Sequence, residues 1–230
     1  VEKVRTVSDT KREFYTYHTR PINSIYRRVI EELMVEMHLL SVNVDFRPDP
    51  IYYLGIVATF DQFMKGYRPH KDLESIFNAL CRSVGGDSQQ YRQQAEALLA
   101  LAKRKSPEEL NAWLASPATE EGIGDWVNSL QNIAHNPHFK YSRLFAVGLY
   151  TLLEQSDSEL VRDEKRREAL LKQVTEAFNL PLEKMQKDLD LYRSNLDKMT
   201  QMLIVLEDTL QASRKKKDEK EDRPSSESKA

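Results

Sequence analysis

Near the end of the chain, apolar residues recur at alternating gaps of three and four: Leu182, Met185, Leu189, Tyr192, Leu196, Met199, Leu203, Leu206 and Leu210. That spacing keeps one apolar seam on one face of a helix for about four heptads, and no strand can do the same. A helix from Pro181 to Ser213 would be about 50 Å long at 1.5 Å per residue, longer than a compact bundle of this size needs. The flanking positions Gln186, Asp188, Arg193, Asn195, Thr200, Met202, Glu207 and Thr209 carry little complementary charge of the kind that sets coiled-coil pairing. Leu191, Ile204 and Val205 widen the stripe beyond a two-residue seam. The expectation is a monomer whose final helix docks by its first half and meets a partner or membrane surface with the rest. A homodimeric coiled coil is the rival reading.

The remainder also reads as helix. Thr10 and Glu13 form a capping-box pair that would open a short helix ending before Pro21. Asn23 or Ser24 caps an amphipathic helix with Ile25, Val29, Ile30, Leu33, Met37 and Leu40 on its buried face. Asp49-Pro50 opens one that is apolar on most sides, which suits the centre of a bundle, and Gly66 ends it. Further helices are expected from about Lys71 to Val84 up to Gly85-Gly86, after Asp87 or Ser88, and after Ser106-Pro107-Glu108-Glu109. Others follow near Asp125, from Tyr141 to Leu153, and from about Ser158 to Phe178. VNVDF (42–46) is the best strand candidate and is too short to count. The fold class is therefore all-α: a bundle of about eight helices over 1–180, the long heptad-patterned helix over 181–213, and a disordered charged tail over 214–230. The basic run Arg214 to Lys217 complements the helix dipole, and acidic lipid headgroups are its other possible contact.

Charge and motif content narrow the function. The 34 basic and 36 acidic residues nearly cancel, which argues against a dedicated nucleic-acid binder. The longest apolar stretch, Ile51 to Phe60, falls far short of the roughly 18 residues a membrane span needs. The chain start shows neither a signal-peptide core nor a transit segment, so the expectation is either a cytoplasmic protein or one whose targeting segment was removed ahead of Val1. Cys81, alone and in an apolar helix, reads as a buried structural thiol. His135 and His138 flank Pro137 with no cysteine partners, so no metal site is expected there. No catalytic or phosphate-loop motif occurs, and neither a catalytic residue nor a cofactor is expected.

Three short stretches interleave aromatic and basic residues: YHTRPINSIYRR (17–28), FMKGYRP (63–69) and FKYSRLFAVGLY (139–150). Arginine beside tyrosine stacks or caps helices inside α-folds, and the same chemistry makes good partner surfaces. The candidate partner-binding residues are Arg20, Tyr26, Arg27, Tyr67, Arg68, Tyr141 and Arg143, with Tyr192, Met199, Leu203, Leu206 and Leu210 from the final helix. Tyr52, Phe60 and Tyr150 could instead line a pigment or lipid pocket.

TRPINSIYRRVIEELMVEMHLL, DPIYYLGIVATFDQFMKGY, SIFNALC, KYSRLFAVGLYTLLE and DLDLYRSNLDKM together resemble the thylakoid formation protein family, whose cyanobacterial members are also called photosystem II biogenesis proteins. The resemblance runs in order from Arg5 to about Ala212. It implies an all-helical, non-enzymatic factor in thylakoid membrane biogenesis and photosystem II repair. It also implies association with FtsH-type membrane protease complexes, whose accumulation such proteins support, and peripheral contact with the thylakoid on its cytoplasmic face. The missing transit segment fits a cyanobacterial member.

Overall fold

The computed structural model describes residues 5–124, 126–133, 136–161 and 163–221. Among them the chain forms ten α-helices: α1 (Val7–Tyr17), α2 (Ser24–Ser41), α3 (Pro50–Phe63), α4 (Leu73–Ser83), α5 (Ser88–Lys103), α6 (Pro107–Ala115), α7 (Val127–Gln131), α8 (Arg143–Ser156), α9 (Glu164–Phe178) and α10 (Leu182–Glu221). Two 3-10 turns, His70–Asp72 and Ser158–Val161, precede α4 and α9, and the described residues contain no strand. The fold is all-α. By backbone proximity the chain divides into two units, Val1–Asp190 and Leu191–Ala230, so α10 begins in the first and continues as the second.

Most helix starts follow from caps. Asn23 accepts from Ile25 N, Asp87 from Gln89 N and Ser142 from Phe145 N. Ser106 and Glu109 form a reciprocal capping box with Pro107 in the first turn. Two starts differ from expectation. The cap of α1 is Thr6, boxed with Asp9, whereas Thr10 lies buried inside the helix with its hydroxyl 2.8 Å from His38 Nδ1. Aspartate serves at the third helical position as glutamate does, so the earlier box wins. The segment from Ser158 to Phe178 is also not one helix. Asp163 caps α9 through Arg166 N and separates it from the preceding 3-10 turn. Asn179 ends α9 in the left-handed region at φ 52°. At the other end, α10 runs eight residues past Ser213 to Glu221, through lysines and acids that are good helix formers. Residues 222–230 lie outside the described residues, as do Asp125 and His135.

In the first unit α3 and α8 form the centre, with α5 against both; α1 packs on α4 and α2, and α6 on α9. Every residue of α3 from Pro50 to Val57 is buried, as its all-round apolarity requires. The α3–α8 crossing is made by two glycines. A methyl group on Gly55 would overlap the Leu144 carbonyl, and one on Gly148 would overlap the Ile51 carbonyl. The Gly148 methyl would also sit 3.0 Å from Gly55 N. The helices therefore meet backbone to backbone, and the obstacle to any side chain is a carbonyl that cannot rotate away. Around this crossing Tyr53 stacks on Tyr91 at 4.1 Å, and Phe60 meets Phe77 at 4.9 Å.

Asp49 caps α3 by accepting from Ile51 N and Tyr52 N, both at 2.9 Å, and is itself buried. Burial pushes its carboxyl up to about 7, against the opposing pull of those two amides.

Two outcomes follow. Replacing Gly148 with Ala gains about 1 kcal/mol of helix propensity but forces the axes apart, at a cost of about 1–3 kcal/mol or more. Urea unfolding is expected to show a net loss, and an unchanged or higher midpoint would contradict the crossing. Asp49 binds its proton more tightly folded than unfolded, so its ionisation removes stability as pH rises from about 4 to about 7. Asp49→Asn keeps a capping oxygen without the charge. Its stability relative to the parent should therefore climb across that window, and a flat difference curve would contradict the assignment.

Candidate interaction surfaces

Two of the aromatic-basic stretches meet in the fold. Tyr26 on α2 and Tyr67, just after α3, pack edge to face at 5.1 Å with both rings buried. Burial raises both phenols, while neighbouring arginines pull them back: Arg68 for Tyr26 and Arg20 for Tyr67. The rings therefore belong to the interior, and the guanidinium heads carry the exposed chemistry. Arg20 pairs with Asp72 at 2.9 Å, its own side chain half exposed and the carboxylate buried. Arg68 donates to its neighbour Tyr67 O at 3.2 Å and touches the His70 ring. Asp72, which anchors this cluster, was not among the expected residues. Its place one residue ahead of α4 is the only sequence signal it offers.

Arg27 and Arg143 meet elsewhere. They line an open groove of about 560 Å³ along α2, together with Ser24, Arg28, Glu31, Glu32 and Val35. Arg143 reaches Glu36 at 2.5 Å, and Arg28 pairs with Glu32 at 3.0 Å. Farther along α2 and into the following loop, Val35, Leu39, Val42 and Val44 stand exposed. Val35, Leu39 and Val42 share the outer face with Arg28 and Glu32, a stripe hidden in the sequence by the stronger buried stripe on the opposite side.

Tyr141 serves a different purpose. Its hydroxyl donates to Asp188 Oδ2 at 2.8 Å, and Lys184 lies 5.1 Å over its ring, so it ties the first turns of α10 to the start of α8. Burial and the Asp188 carboxylate both raise this phenol. In the second unit Tyr192 and Met199 are buried, Leu203 is half-buried, and Leu206 and Leu210 are exposed beside Met202, Ile204 and Val205. The twelve expected residues thus fall into separate places rather than one site.

The other candidates resolve simply. Tyr52, Phe60 and Tyr150 are buried core side chains and do not line the α2 groove. Cys81 is fully buried, and burial pushes its thiol well up, which suits a packing role. Among the described residues no group of three or more His, Cys, Asp or Glu could hold a metal ion, and no helix is long and apolar enough to cross a membrane.

Comparison with known proteins matches this architecture. A Thf1 protein of Gloeothece citriformis is 58% identical over 220 residues, 95% of this chain and 97% of that protein. A Thf1 protein of Nostoc punctiforme is 57% identical over 220 residues, 96% of this chain and 94% of that one. A solved structure of Psb29 at 1.55 Å has a TM-score of 0.70 and 45% identity, covering 85% of this chain and 98% of its own. The profile of the thylakoid formation proteins matches residues 6–221, and the chain belongs to the thylakoid formation protein family.

Proposed function

We propose that this chain is a non-catalytic auxiliary factor in thylakoid formation and photosystem II repair. It works on the cytoplasmic face of the thylakoid membrane, peripherally, by binding an FtsH-type membrane protease complex and supporting that complex's accumulation. The observation that carries the docking element is the exposed apolar run of α10. Met202, Ile204, Val205, Leu206 and Leu210 remain exposed on one helix, and such a cluster is usually covered by a partner. Family membership supplies the setting, the thylakoid.

The test is recovery of the protease from detergent-solubilised thylakoids with tagged full-length protein. The parent chain should recover an FtsH-type protease, and the Leu206→Gln/Leu210→Gln double variant should recover about tenfold less, as expected when two central apolar anchors of an interface are lost. Equal recovery by both removes α10 as the docking element. No recovery by the parent overturns the protease reading itself.

A further inference from the structure

Two buried histidines hold the first helix in place. His18, the C-terminal cap residue of α1, is 1% exposed, and its Nδ1 lies 3.0 Å from Ser75 Oγ on α4. Its Nε2 is buried and has no hydrogen-bond partner among the described residues. His38 on α2 is 2% exposed, and its Nδ1 lies 2.8 Å from Thr10 Oγ1 in the middle of α1. One imidazole therefore joins α1 to α4 and the other joins it to α2, the two helices on which α1 mainly packs.

Neither ring has an uncommitted carboxylate to stabilise a second proton. The charged groups facing His18 are Asp72, from the turn before α4, and Arg20, from the α1–α2 loop. Those two are already paired with each other at 2.9 Å. The charged groups facing His38 are Arg5 and Asp9. Arg5 pairs with Glu13 and donates to Ser83 O at 2.5 Å, while Asp9 accepts from Thr6 N at 3.1 Å in the α1 capping box. Burial accordingly holds both imidazoles below the ordinary histidine value. The other contacts of α1 are of a different kind: Lys11 with Glu31 at 2.9 Å, Tyr15 Oη donating to Glu31 at 3.1 Å, and Arg82 over the Tyr17 ring at 4.0 Å. None of these other α1 contacts involves an imidazole, so among the groups that hold α1 it is His18 and His38 whose ordinary value lies in the mildly acidic range.

We propose that α1 is a proton-released latch: mild acidification charges His18 and His38, and α1 swings off α2 and α4 while the α3–α8 core stays packed. Opening withdraws Phe14, fully buried on α1, and uncovers the apolar faces of α2 and α4 that it packs on. This device stands apart from the protease reading and does not depend on it. The sign is fixed by linkage. The opened state takes up protons near 6.5 and the closed state only at lower pH, so the latch is tightest above about 6.5 and weakens as pH falls below it. Asp49, which titrates in the same window, acts with the opposite sign, since its protonation favours the folded chain.

Hydrogen exchange on the full chain at pH 7.5 and 5.5, corrected for intrinsic exchange rates, tests this directly. Protection of the α1 amides should drop by up to about tenfold for each histidine, with a smaller change in α3 and α8. The His18→Gln/His38→Gln variant should lose that pH response. An NMR titration of the parent's imidazole protons guards against a variant that folds poorly, because both rings should titrate below 6.5 and in step with α1 opening. Acid-insensitive α1 protection, an undiminished response in the folded variant, or rings that titrate at or above 6.5 would each overturn the latch.

Discussion

The approach of α3 to α8 at Gly55 and Gly148 organises the first unit. Each glycine stands where the opposite helix presents a carbonyl, so the two backbones pack without any side chain between them. Close approach lets Leu144, Phe145 and Leu149 of one helix and Ile51, Leu54 and Ile56 of the other bury almost completely, and interiors at close-packed density feel the addition of a single methyl group. The same contact sets where α5 lies, because it packs on both members of the pair. The α1–α4 and α6–α9 pairs complete the first unit, with α4 touching α3 through Phe77 and α6 touching α8. Because α1 itself packs mainly on α4 and α2 rather than on α3 or α8, loosening it need not disturb the centre.

Helix starts were the part of the fold most open to reading in advance. Asp49-Pro50 and Ser106-Pro107 combine a side-chain acceptor with a proline that fits the first turn, and both open helices in the structure. Gly85 adopts φ 80° where α4 ends, a conformation that a residue with a side chain would hold only at a cost. The all-round apolarity of α3 correctly placed it at the centre. The glycine crossing was not legible, because an isolated glycine inside a helix reads only as a propensity cost until its neighbour in space is known. Thr10 misled for a similar reason: a threonine three residues before a glutamate looks like a cap, and only the packing shows that it belongs to His38.

The candidate surfaces were legible in part. Arg20, Tyr26, Tyr67 and Arg68 come from stretches some forty residues apart, and the turn before α4 brings them together through Asp72. Composition identified the residue types but could not separate rings that fill the interior from guanidinium heads that face outward. The exposed stripe on α2 escaped notice because a helix carrying two apolar stripes looks merely hydrophobic. The heptad seam of α10 was plain in the sequence, while the exposure of Leu206 and Leu210 within it was not. On the proposed reading, those exposed residues of the second unit are what a partner covers.

The central claim, that Gly55 and Gly148 form one shared contact, is tested most directly by a double-mutant cycle. Gly55→Ala, Gly148→Ala and the double variant would be compared by equilibrium unfolding in urea. Either methyl alone forces the axes apart, so the second should add little, leaving the double variant well short of the sum of the two losses, with a coupling of about 1–3 kcal/mol. Losses that simply add would show two independent sites and contradict the account.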